Sequence, residues 1–161
     1  ALARGAFARL ARAEARVHGI ADADEVRFHE VGCADSIADV LGAAAALDYL
    51  GATHVVPSPL PVGRRPILGA AHGPLPNPPP ATLALLAEAG LPTFSAGGVE
   101  VGELVTPTGA CLVAEAATER AAAWPAGGFV AERVGYGAGS RRVAGRANLF
   151  AVVVGRRVGG V

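Results

Sequence analysis

The stretch FHEVGCADSIADVLG, residues 28 to 42, sets His29, Glu30, Asp35 and Asp39 close together at the junction of two apolar runs. A plain strand-to-helix connection is built from Gly, Ser or Asn. Imidazole and carboxylate groups in that place are instead the components of a metal or acid/base site, with His29, Glu30 and Asp35 as its catalytic candidates. Asp35 and Asp39 stand four apart at the opening of a predicted helix, so both carboxylates project to one side, within reach of each other. Two like charges there cost a few tenths of a kcal/mol, the helix dipole offsets part of this, and a bound cation reverses its sign. Together with His29 or Glu30 they offer a mixed nitrogen and oxygen ligand set of the kind that suits Mg, Mn or Ni. The plainer alternative is a helix N-cap followed by a solvated carboxylate.

Other residues carry weaker chemical signals. His72, in AHGPLP, has an imidazole that titrates near neutrality and suits a ligand or general base; the alternative is a structural hydrogen bond. TPTGA combines the hydroxyls of Thr106 and Thr108 with backbone N–H groups at a helix start, an arrangement that holds anions such as phosphate and also serves as ordinary capping. GYGAGSRR places Gly135, Gly137 and Gly139 ahead of Arg141 and Arg142, a glycine backbone with guanidiniums that can cradle a phosphate. It lacks the GxGxxG spacing of a dinucleotide-binding turn. Cys33 is a possible soft ligand for nickel, or a small residue packing a turn.

The elements that must position these groups follow from periodicity. Leu2, Ala6, Leu10, Ala13 and Val17 recur at helical spacing and predict a helix to about His18, stopped by Gly19. EVRFHEV alternates as a short strand would. Asp35 or Ser36 then caps a helix with Ile37, Val40, Leu41, Ala44 and Leu47 on one face, ending before Gly51. THVVPSPLPVG begins as a strand but turns proline-rich, so the segment from Pro57 to Pro80 is expected to be mostly irregular. A third helix starts near Pro80 with Leu83, Leu86 and Ala87 as its apolar face and ends at Gly90; a fourth has Thr106 as N-cap and Pro107 at its first position, with Leu112, Val113 and Ala116 inside. FVAERVGYG and NLFAVVVG read as two strands that pair in an antiparallel hairpin with a long Gly- and Arg-rich connection. The interleaving predicts an α/β or α+β fold: a single layered domain of helices and short strands with a proline-rich loop.

Composition bounds the function classes. The 161 residues, 52% hydrophobic, suffice for one domain with a core. Fourteen basic residues, all Arg, balance fourteen acidic ones, which leaves no basic footprint for nucleic acid or an anionic membrane. No uninterrupted apolar run reaches the roughly 18 residues of a spanning helix. Two distant cysteines suggest neither a zinc ribbon nor a disulfide scaffold and fit a reducing, cytoplasmic location. The Arg-rich start resembles a transit peptide, but Glu14 interrupts it. With no Met in the sequence, a trimmed or partial product is expected.

Read in order, LARAEARVHG, FHEVGCADSIADVLGAAAALDYLG, SPLPVG, AHGPLPNPPPATLALL, GELVTPTGAC and ERVGYGAGSR with ANLF resemble successive blocks of the LarC family over about residues 7 to 155. That resemblance implies CTP-dependent insertion of nickel into pyridinium-3,5-bisthiocarboxylic acid mononucleotide, giving the nickel-pincer cofactor of lactate racemase through one carbon–nickel and two sulfur–nickel bonds. It implies nickel, CTP and an assisting Mg or Mn ion, a mononucleotide substrate, a homo-oligomer, and as partners the remaining LarC-like domains and a lactate racemase-type apoprotein. His29, Glu30, Asp35 and Asp39 would then serve the metal or nucleotide, while Thr106, Thr108, the Gly135 to Gly139 loop and Arg141 would approach phosphates. The chain would correspond to the central part of the family, without its N-terminal segment and C-terminal domain. It departs from the family at Arg64 and Arg65, at Arg142, and in ANLFAV. Two other readings remain open: a non-catalytic binding or assembly module, and a metal-dependent nucleotide phosphohydrolase, since carboxylates beside an anion-binding helix start also suit water activation.

Overall fold

A computed structural model describes residues 1–28, 34–68, 73–96, 102–120, 128–140 and 147–159. Among these residues, four helices, α1 (Leu2–His18), α2 (Ala34–Tyr49), α3 (Pro80–Ala89) and α4 (Pro107–Ala116), and four strands, β1 (Leu60–Val62), β2 (Thr93–Ser95), β3 (Phe129–Ala138) and β4 (Leu149–Arg157), follow in the order α1–α2–β1–α3–β2–α4–β3–β4. The expected mixed fold of interleaved helices and short strands is what forms.

α1 is built as its periodicity dictates. Ala6, Leu10 and Ala13 are buried along one stripe, and Gly19 closes the helix with φ 67°, a left-handed value that a side chain would resist. The stripe meets Leu85 of α3, Ala110 and Cys111 of α4, and Val40 of α2 in the main core. A second cluster joins Leu60 of β1, Leu86 and Ala89 of α3, Leu91 just after α3, and Ala114 of α4. On the rim, Arg9 of α1 donates to Glu115 of α4 at 2.6 Å and to Glu88 of α3 at 2.8 Å, so one guanidinium ties three helices. The Glu115 hydrogen bond, with the negative charge beside it, raises the Arg9 pKa further above its already high value.

β1 and β2 pair in parallel, Leu60 opposite Thr93 and Val62 opposite Ser95, with α3 in the crossover between them. β3 and β4 form the expected antiparallel hairpin, Val134 opposite Val153 and Tyr136 opposite Ala151, with a bulge between Ala131 and Arg133. Gly155 faces that bulge, where a β-carbon would collide with the Val130 carbonyl.

Several sequence expectations are corrected. The segment from Glu25 to Phe28 is no strand: Asp22 accepts from the Asp24 N–H and opens a 3-10 turn over Ala23–Glu25, and Phe28 then packs on Phe7 instead of pairing with a neighbour. Thr53 to Pro57 also makes no ladder, because Val55 is satisfied by Thr118, whose N–H donates to its carbonyl and whose Oγ1 accepts from its N–H, both at 2.9 Å. The strand lies further on, at β1. The buried face of α3 is Ala81, Thr82, Leu85, Leu86 and Ala89, leaving Leu83 outside, and α4 buries Ala110, Cys111 and Ala114. On α2 only Val40 is buried, while Ile37 and Leu41 point outward. In each helix the apolar positions outnumber those one neighbour can cover, so tertiary contacts choose the stripe.

Candidate functional site

Helix α2 starts at Ala34, which places Asp35 in its first turn rather than at the cap and Asp39 one turn on. At about 100° per residue the two side chains diverge by only about 40°, with their β-carbons about 5–6 Å apart. Both are exposed, so water and ions reach them, and the N-terminal end of the helix dipole favours the charge on Asp35. As hard oxygen donors the pair fits a divalent cation such as Mg or Mn and can supply part of a borderline set for nickel. Among the described residues, no three His, Cys, Asp or Glu side chains converge as a metal site. His29, Glu30, Cys33, His72, Arg141 and Arg142 lie outside the described residues, so Asp35 and Asp39 are the part of the proposed metal site that the structure places.

The helix-start expectation at α4 holds in detail. Thr106 is the N-cap, its Oγ1 accepting from the Gly109 N–H at 3.1 Å, and Pro107 occupies the first position. The Ala110 N–H already donates to the Thr106 carbonyl, and Pro107 has no N–H. Of the first-turn amides, that leaves Thr108 to offer an anion its N–H, together with its hydroxyl. The capping role of Thr106 is therefore visible, and any phosphate contact there shares a hydroxyl already engaged.

Gly135 and Gly137 are not in a loop. They lie inside β3, opposite Val152 and Phe150, and a β-carbon at either would meet open space. The reason is pairing: β4 is long enough to carry the ladder to Ala138, which turns the glycine run into strand. Gly139 continues the contact by donating its N–H to the Asn148 carbonyl at 3.2 Å. No described contact brings the glycines to Asp35, Asp39 or Thr106.

Cys111 is wholly buried in the core, its thiol aimed at the Thr108 carbonyl at 3.1 Å. Burial pushes its pKa up to about 11, so at neutral pH it is a thiol and a poor nucleophile or ligand. The sequence reading passed over Asn77, half-buried, whose amide donates to the Gly102 carbonyl at 3.1 Å and packs over Gly63. It also passed over Thr82, fully buried with its hydroxyl on the Val105 carbonyl. Asn77 ties the proline-rich segment, and Thr82 ties α3, to the stretch that leads into α4. A polar residue isolated among prolines, as in PLPNPPP, was the available signal for Asn77.

Two open clefts mark the surface. One, of about 490 Å³, lies between the start of α1, the second half of α2 and the end of α4, with Leu2, Leu41, Ala45 and Val55 on its walls. The other, of about 350 Å³, runs along α3 past Val62, Leu83 and Leu91. Both are apolar, and neither includes Asp35, Asp39 or Thr106.

Residues 1–159 match the model of a family described as nickel insertion protein. A protein of Syntrophotalea carbinolica named for nickel insertion is 49% identical over 154 residues, which cover 96% of this chain and 36% of that protein. One from Geotalea daltonii, named likewise, is 48% identical over 149 residues, 92% of this chain and 36% of its own length. A Nocardioides protein named pyridinium-3,5-bisthiocarboxylic acid mononucleotide nickel insertion protein is 45% identical over 154 residues, 96% of this chain and 37% of its own. The chain thus spans just over a third of the length of these relatives. No solved structure matches it significantly.

Proposed function

The chain belongs to the nickel insertion protein family, and on that premise we propose that it takes part in inserting nickel into pyridinium-3,5-bisthiocarboxylic acid mononucleotide, the substrate in the name of its Nocardioides relative. The observation that carries the reading is the family match across residues 1–159, joined to a pair of exposed carboxylates on one side of α2. Carboxylate and imidazole ligands hold nickel less tightly than sulfur donors do, so nickel held by Asp35 and Asp39 with His29 and Glu30 can pass downhill to the thiocarboxylates of the substrate. His72 is proposed as a further ligand or proton acceptor.

The finer features belong to the same proposal. CTP drives the insertion, a Mg or Mn ion assists at its phosphates, and Thr106, Thr108, Gly135, Gly137, Gly139 and Arg141 approach phosphate groups. The product serves a lactate racemase-type apoprotein in the cytoplasm, and other domains of a LarC-like protein complete the site. Among the described residues no helix is long and apolar enough to cross a membrane.

Titration calorimetry with nickel, with and without CTP, tests the reading on the chain and on its Asp35→Ala, Asp39→Ala double variant. Saturable nickel binding that the variant loses is the expected result. Equal nickel affinity in both proteins removes Asp35 and Asp39 from the metal site. If neither nickel nor CTP binds to the chain, the non-catalytic assembly reading gains; the apolar faces that α2 and the β3–β4 hairpin leave open favour that alternative.

A further inference from the structure

Among the described elements none packs on the β3–β4 ribbon, which is held together by its own ladder. The pair Phe129 and Arg157 forms the base of the ribbon, and Ala138 and Leu149 form its far end. At about 3.4 Å per residue, the arm between them is roughly 30 Å long. Gly128 leads into the base with φ 92°, a backbone state that a side chain would resist.

An ion pair crosses from that base to the helical part of the molecule. The Arg157 guanidinium donates to both carboxylate oxygens of Glu119, three residues past the end of α4. The residues on either side of Glu119 are tied down as well. Thr118 exchanges hydrogen bonds with the backbone of Val55, beyond the end of α2, and Arg120 donates to the Ala89 carbonyl at the end of α3. Consecutive residues thus fasten three separate parts of the molecule, and Glu119 stands on backbone that its neighbours hold still. A fixed carboxylate at the foot of a long ribbon is placed to set the angle of that ribbon. The side chains of the pair are 36% exposed at Glu119 and 45% at Arg157, so water and salt reach them. An exposed pair of this kind shifts a population by at most about fivefold. That is enough to bias an arm on which no described element packs, and too little to lock it.

We propose that Glu119 and Arg157 form a latch: the β3–β4 ribbon is an arm that turns on its base at Gly128, and this ion pair sets its preferred angle to the helical part. When salt or substitution breaks the pair, the arm swings while its ladder stays intact, because the backbone bonds of the ladder make no use of Glu119. A turn of about 10° at the base carries the far end of a roughly 30 Å arm by about 5 Å.

The test is the distance between spin labels attached through unnatural amino acids at Ala8 of α1 and Ala138 of β3, both exposed, read by double electron–electron resonance on the 161-residue chain. Amide hydrogen exchange follows the ladder in parallel. One main distance is expected for the wild type in low salt. High salt, Glu119→Gln and Arg157→Gln are each expected to shift or broaden it by about 5 Å or more, with the β3 and β4 amides still protected. Exchanging the charges, Glu119→Arg with Arg157→Glu, is expected to restore the wild-type distribution. An unchanged distribution in both single variants overturns the proposal, since other contacts then hold the ribbon. Loss of amide protection along β3 and β4 also overturns it, because the pair would then hold the ladder together instead of setting its angle. Failure of the exchanged pair to restore the distance overturns it as well, since the single variants would then act by some route other than the ion pair.

Discussion

α2 and α3 are both made largely of Ala and Leu, yet α3 buries five of its ten residues and α2 one of its sixteen. α3 lies between α1, α4 and the β1–β2 pair, so two adjacent stripes find partners. Among the described elements α2 touches only α1 and α4, and Ile37 and Leu41 of its apolar surface face outward. Apolar composition in a helix measures how much surface needs covering, and neighbours decide how much is covered. The β3–β4 ribbon stands with α2 on the uncovered side of this contrast, and the carboxylates of the candidate metal site belong to the same sparsely packed helix.

The contrast can be broken by comparing equivalent truncations in denaturant melts. Leu85→Ala, at a wholly buried position of α3, is expected to cost about 2–5 kcal/mol of stability through lost burial and the cavity left behind. Arg9→Ala removes the guanidinium shared by Glu88 and Glu115 and is expected to cost about 1 kcal/mol, an effect that shrinks in high salt because the cluster is partly solvated. Thr106→Ala deletes the cap of α4 and is expected to cost about 1 kcal/mol, with Thr106→Ser recovering most of it. If phosphate affinity falls for Ala yet stays lowered for Ser, Thr106 does more than cap.

Leu41→Ala, on the outward face of α2, is expected to lie within about 0.5 kcal/mol of wild type. A cost equal to that of Leu85→Ala would mean that α2 is covered after all, and the contrast between the two helices would disappear.

The sequence by itself determined the helices and their ends. Gly19, Gly90, Thr106 and Pro107 act within one turn of chain, through left-handed backbone and local hydrogen bonds, so their meaning needs no distant partner. It also determined the β3–β4 pairing, since two alternating apolar runs near each other in sequence find each other readily. What only the tertiary structure decided is which apolar stripe is buried, whether Glu25 to Phe28 join a strand, and whether Gly135 and Gly137 sit in a loop or a ladder. Each depends on contacts between residues far apart in sequence: Phe28 has Phe7 to pack on, Val55 is satisfied by Thr118, and Gly135 meets Val152. Asp35 and Asp39 show the division within one site. Helical spacing alone placed them on one side of α2, while their exposure is set by how few described elements pack on that helix.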